Sequence, residues 1–349
     1  MKRTIVLTLA MLLLCACSPA GAQTDGTISF TDSAGRIVQV PNEITRIAPT
    51  GVLGQILLFA LAPETFVGLS VEWSDGAEQY VRGYAALPVL GNLYGGAADL
   101  NLETLAALDP QVIIDIGESK ASIAEDMDLL QEQIGIPVVH INAYAEDYAS
   151  AYRILGGLLG LSERAETLAA YCEDTYAGTL SIMASVEDPT RKEVLYCLGP
   201  DGLNVLAKGS FHAKAIDLLG NNLAVIPDFV GRGAGEPVDM ERLMLWDPEY
   251  IVFAADSAYG SVHDDPLWNN LRAIKTGRYV QVPADPYPWL GAPPSVQHYL
   301  GMLWLCDLFY PELTGHGLQD AVTEYYKLFY HHDLTREQYD ALTRFAGIS

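Results

Sequence analysis

The sequence contains a long internal repeat, and this repeat constrains the fold more than any single motif does. Residues 101–115 read NLETLAALDPQVIID, and residues 239–253 read DMERLMLWDPEYIVF. The Asp-Pro dipeptide at 109 recurs at 247, an offset of 138 positions, and the same offset relates Glu103 to Glu241. The repeat predicts two copies of one structural unit, with a cleft between the copies where they face each other.

The N-terminal residues are typical of an export signal. Two basic residues precede an apolar run at 5–14, which is shorter than the ~20 residues of a membrane-spanning helix. The sequence LCAC at 14–17 is similar to a bacterial lipobox, in which Cys17 receives a lipid, although an ordinary cleavage site would also fit. We therefore predict a lipoprotein signal peptide at 1–17 and a flexible tether at 18–30. The mature chain is expected on the cell membrane, lipid-anchored and facing the extracytoplasmic side, in a periplasm or at the cell exterior.

The chain is strongly acidic, with a formal net charge of −24 at pH 7. Such a charge repels the phosphate backbone of nucleic acids and disfavours binding to an anionic membrane surface. No segment after the N-terminus approaches the length of a membrane span. Membrane contact is therefore expected only through the N-terminal lipid, and the length fits two domains of ~150 residues.

Three cysteines follow the predicted signal, at positions 172, 197 and 306. Their number is odd and their spacings match no metal-site pattern. Cys172 and Cys306 lie in apolar helical sequence. We predict buried free thiols.

Short β-branched runs alternate with helical stretches on both sides of a helical middle. Predicted strands are 46–48, 66–71, 112–116, 138–141, 193–198 and 250–254. Predicted helices are 53–61, 102–108, 122–133, 213–219, 296–309 and 317–330. Alternation of this kind predicts mainly parallel sheets covered by helices. Each Asp-Pro is expected to end a helix, because proline disfavours helical geometry in the residue before it.

The helical middle of the chain, at 147–187, is predicted to be a bridging helix. It separates an N-terminal lobe at 31–146 from a C-terminal lobe at 188–349. Leucine and alanine recur there at helical spacing, from Leu155 to Ala169. Gly160 weakens the pattern, and Ser162 followed by glutamate indicates a helix restart. A helical spine would hold the lobes at a nearly fixed angle, so we expect little closure when ligand binds.

Several stretches together identify a family resemblance. They include TDSAGRIVQVPNEITRIAPT at 31–50, GNLYGGAADLNLETLAALDPQVII at 91–114, and LRAIKTGRYVQVP at 271–283. In order and spacing they resemble the bacterial substrate-binding proteins of ABC importers for iron-siderophores, haem and cobalamin. The resemblance implies an α/β fold of two Rossmann-like lobes, each a mainly parallel sheet flanked by helices. One long α-helix bridges the lobes, and the ligand cleft lies between them.

The same resemblance assigns a role to Glu103 and Glu241. In that family, a glutamate at the start of the repeated helix in each lobe docks onto arginines of the membrane permease. Elementary physics offers another reason for either residue, because a carboxylate in the first turn of a helix stabilises it by ~0.3–1 kcal/mol. Two glutamates at equivalent positions of the two lobes favour the role in permease docking over helix stabilisation alone.

Ligand-binding residues are expected in loops at the carboxyl ends of the strands, where open α/β sheets bind ligands. Aromatic rings cover apolar ligand surface, and guanidinium or ammonium groups pair with carboxylate or catecholate oxygens. The broader candidate loops include 118–120, 142–144, 256–259 and 287–289. The specific candidates are Trp73, Tyr94, Lys120, Tyr144, Arg232, Tyr259 and Trp289.

The function predicted from the resemblance is capture of a metal chelate, with a ferric siderophore first, and delivery to an ABC permease with its ATPase subunits. Cobalamin or another corrinoid and haem are alternatives in the same role. Direct metal binding is conceivable through His140 and His212, but the histidines lack metal-site spacing. A secreted hydrolase is the least favoured alternative, because its usual motifs are absent from the sequence. We expect a monomer that is not an enzyme, with no metal ligands, no cofactor apart from the bound chelate, and no nucleic-acid partner.

Overall fold

The computed structural model describes residues 26–95, 98–144, 146–231, 233–315 and 317–347. Cys17 and Arg232 lie outside the described residues, as does the predicted signal peptide. The strands are β1 Thr27–Thr31, β2 Ile37–Pro41, β3 Ile47–Pro49, β4 Val112–Gly117, β5 Val138–Asn142, β6 Glu193–Leu198, β7 Asn204–Val205, β8 Asn221–Asn222, β9 Glu236–Pro237, β10 Tyr250–Phe253 and β11 Tyr279–Gln281. The helices are α1 Val52–Leu61, α2 Glu78–Val81, α3 Leu102–Ala107, α4 Ile123–Ile134, α5 Tyr148–Leu159, α6 Ser162–Ala184, α7 Lys214–Leu219, α8 Met240–Trp246, α9 Arg272–Lys275, α10 His298–Phe309, α11 Pro311–Thr314, α12 Leu318–Phe329 and α13 Arg336–Leu342.

The N-terminal lobe contains a parallel sheet in the order β3-β4-β5. Its central strand β4 is buried from Val112 to Ile116, as expected for a parallel strand covered on both faces. Helix α1 packs across β3 and β4, and a separate antiparallel pair of β1 and β2 begins the lobe. Strand β1 begins at Thr27, inside the range 18–30 that was predicted as a tether.

The C-terminal lobe contains a second sheet in the order β11-β10-β6-β7-β9, with β8 also paired to β6. Strands β6, β10 and β11 are parallel, whereas β7 and β9 add antiparallel pairs. Each lobe thus contains a mainly parallel sheet flanked by helices, and the predicted fold class is confirmed.

The two repeated stretches adopt the same local structure. Helices α3 and α8 each begin with a side chain that accepts a hydrogen bond from the backbone three residues later, Asn101 in one and Asp239 in the other. Each has a fully buried leucine, Leu105 and Leu243. The aspartate of each Asp-Pro has a left-handed backbone, with φ of 46° at 109 and 39° at 247. Asp-Pro therefore turns the chain out of each helix and into the next strand, as predicted.

The predicted bridging helix at 147–187 is two helices, α5 and α6. Gly160 ends α5 with a left-handed φ of 70°, which favours glycine. Gly156 permits the close packing of the two helices, because a Cβ there would lie 2.3 Å from the Cβ of Ala165. Helix α5 packs on β5 and α1 in the N-terminal lobe, so α6, which leads toward β6 and packs against α10, is the helix that joins the lobes.

The apolar core continues from one lobe to the other. One cluster includes Leu57 of α1, Leu168 of α6, Trp304 of α10 and Tyr325 of α12. Helix α12 packs back onto α1, so a C-terminal helix covers part of the N-terminal lobe. This shared core supports a nearly fixed arrangement of the lobes.

Three further predictions concern the strand at 66–71, the cysteines and membrane-spanning helices. The predicted strand 66–71 is wrong as a strand, because only isolated bridges form there, at Phe66 and Leu69. The three cysteines are buried and free, as predicted. Within the described part of the chain, no helix combines the length and apolar character needed to cross a membrane.

Candidate functional site

A cleft of about 750 Å³ lies between the lobes. The C-terminal lobe contributes residues at the carboxyl ends of β6 and β10, namely Tyr196, Leu198, Gly199 and Ala254 to Asp256. The N-terminal lobe contributes Val52, at the start of α1, and the loop Val71 to Ser74. The position agrees with the rule that parallel sheets bind ligands at the carboxyl ends of their strands.

One wall of the cleft is the segment 283–297, which we call the wall segment. It connects β11 to α10, and residues 284–288, 290, 292 and 293 line the cleft. Tyrosine hydroxyls from other elements hold its backbone: Tyr148 donates to the carbonyl of Pro294 at 3.0 Å, and Tyr196 to that of Leu290 at 3.3 Å. Tyr326 of α12 donates to the carbonyl of Asp285. Both lobes and the C-terminal helices thus fix this wall.

Gln55 of α1 connects the N-terminal lobe to the wall segment. Its amide nitrogen donates to the Tyr287 hydroxyl at 2.7 Å. Its amide oxygen accepts from the backbone N–H of Ser70 at 2.7 Å and of Val71 at 3.1 Å. The side chain is fully buried, so these bonds have no competition from solvent.

Trp73, one of the predicted ligand-binding residues, lines the cleft. It is 9% exposed, and its ring packs against Phe59 at 5.0 Å and Tyr287 at 5.3 Å between centroids. The next residue, Ser74, donates to the carboxylate of Asp285 at 2.7 Å. The loop after Leu69 therefore closes one edge of the cleft against the wall segment.

Tyr94 and Lys120 line a smaller pocket of about 380 Å³ in the N-terminal lobe, and Val52 borders both this pocket and the main cleft. The Tyr94 hydroxyl donates to Asp126 at 2.8 Å, and the Lys120 ammonium lies 3.0 Å from the same carboxylate. That ammonium also lies 3.1 Å from the centroid of the Tyr94 ring. The hydrogen bond from Tyr94 and then that from Lys120 lower the pKa of Asp126, while burial and the bond to Asp126 raise the pKa of Tyr94.

The floor of this smaller pocket contains a buried polar network. Asp115, in the otherwise apolar strand β4, accepts from the Thr50 hydroxyl and lies 2.6 Å from Nδ1 of His140. Nε2 of His140 lies 3.0 Å from the side-chain oxygen of Asn142. Both ring nitrogens of His140 thus have protein partners. Asp115 was not among the predicted site residues, although a charged residue within VIIDIG was a signal that could have found it.

His212 and His298 lie behind the wall segment. Nε2 of His298 is 3.2 Å from the carbonyl oxygen of Gly291, and burial lowers the pKa of this histidine to about 4. Burial also lowers the pKa of His212. Among the described residues, no group of three or more His, Cys, Asp or Glu side chains is arranged to hold a metal ion.

The remaining predicted ligand residues lie elsewhere. Trp289 is 1% exposed and packs against Trp304 in the core, because a backbone bond from Trp289 to Pro283 folds the wall segment inward. Tyr259 packs against Tyr279 and Phe345, and Tyr144 is half-buried just before α5. None of these three is among the described lining residues of the cleft.

Three carboxylates line the main cleft: Glu72, Asp256 and Asp285. Asp256 lies in one of the predicted candidate loops, whereas Glu72 and Asp285 were not predicted. Their pattern in the sequence, single acidic residues in loops, does not distinguish them from surface carboxylates.

Glu103 and Glu241 lie in the first turns of α3 and α8, at equivalent positions of the two lobes. Both side chains are exposed. Within the described ranges, neither carboxylate forms an ion pair or a side-chain hydrogen bond. Both are therefore available to a partner.

Comparisons with known proteins agree on one family. A family model described as periplasmic binding protein matches residues 81–286, more than half of the chain. The chain is 23% identical over 290 residues to the Fe(3+)-citrate-binding protein of Bacillus subtilis, covering 80% of this chain and 88% of that relative.

Solved structures are similar along almost the whole chain. An ABC transporter solute-binding protein from Sulfurospirillum deleyianum has a TM-score of 0.82 at 25% identity, covering 90% of this chain and 99% of that one. A periplasmic solute-binding protein from Veillonella parvula has a TM-score of 0.74 at 26% identity, covering 92% and 98%.

Proposed function

This chain belongs to the periplasmic binding protein family, and we propose that it captures a metal chelate in the cleft between its lobes and delivers it to an ABC permease. Membership of the family implies an extracytoplasmic location and a transporter as partner. The observation that carries the proposal is the cleft of about 750 Å³ at the carboxyl ends of the strands. Its volume is within the ~300–1,000 Å³ typical of small-molecule sites.

A ferric chelate is our first choice of cargo. The relative from Bacillus subtilis is named for ferric citrate, and the similar structure from Sulfurospirillum deleyianum is described as an ABC transporter protein. Siderophores share with ferric citrate an iron atom enclosed by organic oxygen ligands. Cobalamin or another corrinoid and haem are alternatives in the same role, ahead of direct metal-ion binding.

We propose that the protein binds its cargo without chemical change and needs no resident cofactor. The cleft offers aromatic and carboxylate side chains, and the described lining includes no pairing of a nucleophile with a base. The alternative of a secreted hydrolase ranks last for this reason.

Delivery requires contact with the permease, and we propose Glu103 and Glu241 for that contact. The proposal is supported by the equivalent positions of the two residues. Both are exposed, unpaired within the described ranges, and located on the repeated helix of each lobe. Their carboxylates would pair with guanidinium groups of the permease, a strong and directional interaction. We also propose that Cys17 carries a lipid, which would hold the protein at the membrane beside its transporter.

Tryptophan fluorescence tests the cargo, because Trp73 lines the cleft. Titration with ferric citrate, a ferric catecholate, a ferric hydroxamate, haem and cobalamin should change the emission at micromolar concentration for at least one ferric chelate. The Trp73→Phe variant should lose most of this change, whereas Trp246→Phe, outside the cleft, should keep it. A response to free divalent ions alone would replace chelate capture with direct metal binding.

A further inference from the structure

We propose that the cleft selects chelates that carry no net negative charge. This inference rests on the proposed function and defines its substrate class. It follows from the charges that line the cleft and from the carboxylate partners of Lys120 and Lys214.

The described lining of the main cleft is acidic. It includes the carboxylates of Glu72, Asp256 and Asp285, and no lysine or arginine among the residues described there. Arg232 lies outside the described residues, next to the lining residue Gly233. One guanidinium added to this lining would still leave carboxylates in excess.

Two of these carboxylates are free to act on a ligand. Glu72 and Asp256 are exposed, and neither takes part in an ion pair or a side-chain hydrogen bond within the described ranges. Asp285 differs, because it accepts a hydrogen bond from Ser74 and belongs to the contact between the lobes. Glu72 lies on one side of the cleft and Asp256 on the other, so a bound chelate would meet a negative charge from each lobe.

Among the described residues, two lysines outside the lining of the main cleft have carboxylate partners. Lys120, in the smaller pocket, lies 3.0 Å from Asp126. Lys214 lies 3.0 Å from Glu146 and 3.8 Å from Glu118. An anionic chelate that recruited either lysine would have to separate one of these pairs, whereas a neutral or cationic chelate needs neither lysine.

The remaining lining suits the same class of cargo. Trp73, Tyr196 and Tyr287 bring aromatic rings to the cleft, and such rings attract cations as well as apolar surface. The acidic chain as a whole, at a formal −24, would also slow the approach of anions and speed that of cations.

One ferric chelate, prepared in three forms of different net charge, tests this inference. Ferrioxamine B, a ferric trihydroxamate, has an ammonium tail with one positive charge. Acetylation of that amine makes the complex neutral, and succinylation gives it one negative charge, while the iron centre stays the same. Affinities for the three are measured by fluorescence titration at low and at high salt.

We expect the cationic form to bind most tightly and the anionic form most weakly, with about a tenfold difference between them at low salt that shrinks at high salt. In the double variant Glu72→Gln with Asp256→Asn, the difference should fall to about twofold or less. A matched control, Glu132→Gln with Asp320→Asn, removes two exposed carboxylates outside the lining and should keep most of the difference.

Other results would overturn the inference. Equal binding of all three forms, or tightest binding of the anion, contradicts it, as does an unchanged difference in the cleft variant. If ferric citrate binds and no form of ferrioxamine B does, the inference fails while chelate capture stands. If no chelate of either experiment binds, the proposed function itself fails.

Discussion

For single residues, tertiary contacts decide which aromatic side chains face the cleft and which pack in the core. Trp73 and Trp289 both follow strand-like sequence, yet Trp73 lines the cleft and Trp289 is in the core. The difference arises from tertiary contacts: Ser74 bonds to Asp285 across the cleft, whereas the wall segment folds Trp289 toward α10. Placement of loop residues after strands was predictable, but the direction of each side chain was not.

The buried His298 should make stability depend on pH. The pKa of His298 is about 4 in the folded protein, whereas its ordinary value is 6.5. Between these two pH values, His298 therefore binds a proton more readily in the unfolded chain than in the folded one. The neighbouring His212 has its pKa shifted in the same direction and faces the same wall segment. The contribution of His298 to the free energy of unfolding is therefore fully present above pH 6.5. It is lost progressively as the pH falls toward 4.

Urea unfolding at pH 7 and pH 5 measures this effect. His298 should contribute a loss of about 2 kcal/mol in the free energy of unfolding at pH 5 relative to pH 7. The loss should shrink by that amount in His298→Gln and stay unchanged in His263→Gln, whose side chain is exposed. An equal pH dependence in wild type and His298→Gln would contradict the assignment.

At the scale of elements, the internal repeat was the most reliable guide. It predicted α3 and α8 and the strands β4 and β10 that follow them, because Asp-Pro ends a helix for local reasons that need no tertiary contact. Residues 66–71 formed isolated bridges instead of the predicted strand because pairing depends on neighbours that the local pattern does not specify. The break between α5 and α6 was visible as glycines, but its consequence, two packed helices in place of one, was not.

Gln55 should hold the wall segment to α1. Gln55→Ala leaves the buried N–H of Ser70, the half-buried N–H of Val71 and the Tyr287 hydroxyl without their partner, at a cost of about 2–3 kcal/mol in the free energy of unfolding. Chemical denaturation measures the cost, and we also expect weaker ligand binding because the wall loses its support. Gln133→Ala, on the exposed face of α4, is the control and should change neither quantity. A stability loss below about 0.5 kcal/mol for Gln55→Ala would show that the contact is not important.

The docking glutamates should act as a pair. Glu103→Arg with Glu241→Arg should abolish uptake of the cargo into cells while leaving its affinity for the isolated protein intact, because the substitutions repel permease arginines and lie outside the cleft. Glu163→Arg with Glu312→Arg is the matched control: these glutamates also occupy first turns of helices, so helix stability is affected similarly. Unchanged uptake in the Glu103 and Glu241 variant, or equal loss in the control, would remove the reason for pairing them.

At the scale of the whole molecule, the sequence predicted two lobes, a helical connection and a cleft, and the structure agrees. The sequence did not reveal that the apolar core continues between the lobes, or that α12 packs onto α1. Those contacts join residues far apart in the chain, beyond the reach of local patterns.

The shared core predicts a rigid molecule. Small-angle X-ray scattering should give a radius of gyration near ~20 Å that stays the same within error when a saturating chelate is added. A decrease of about 1 Å or more would indicate lobe closure of the kind seen in hinged binding proteins and would contradict the rigid connection through α6.

The central claim is that an iron chelate occupies the cleft between the lobes. Crystals grown with a ferric chelate that binds in the fluorescence titration, measured at the iron absorption edge, locate the metal directly in an anomalous difference map. We predict a single strong peak in the cleft, between Trp73 of the N-terminal lobe and Asp256 of the C-terminal lobe. A peak only at the protein surface, or an empty cleft in crystals of the saturated complex, would contradict the claim.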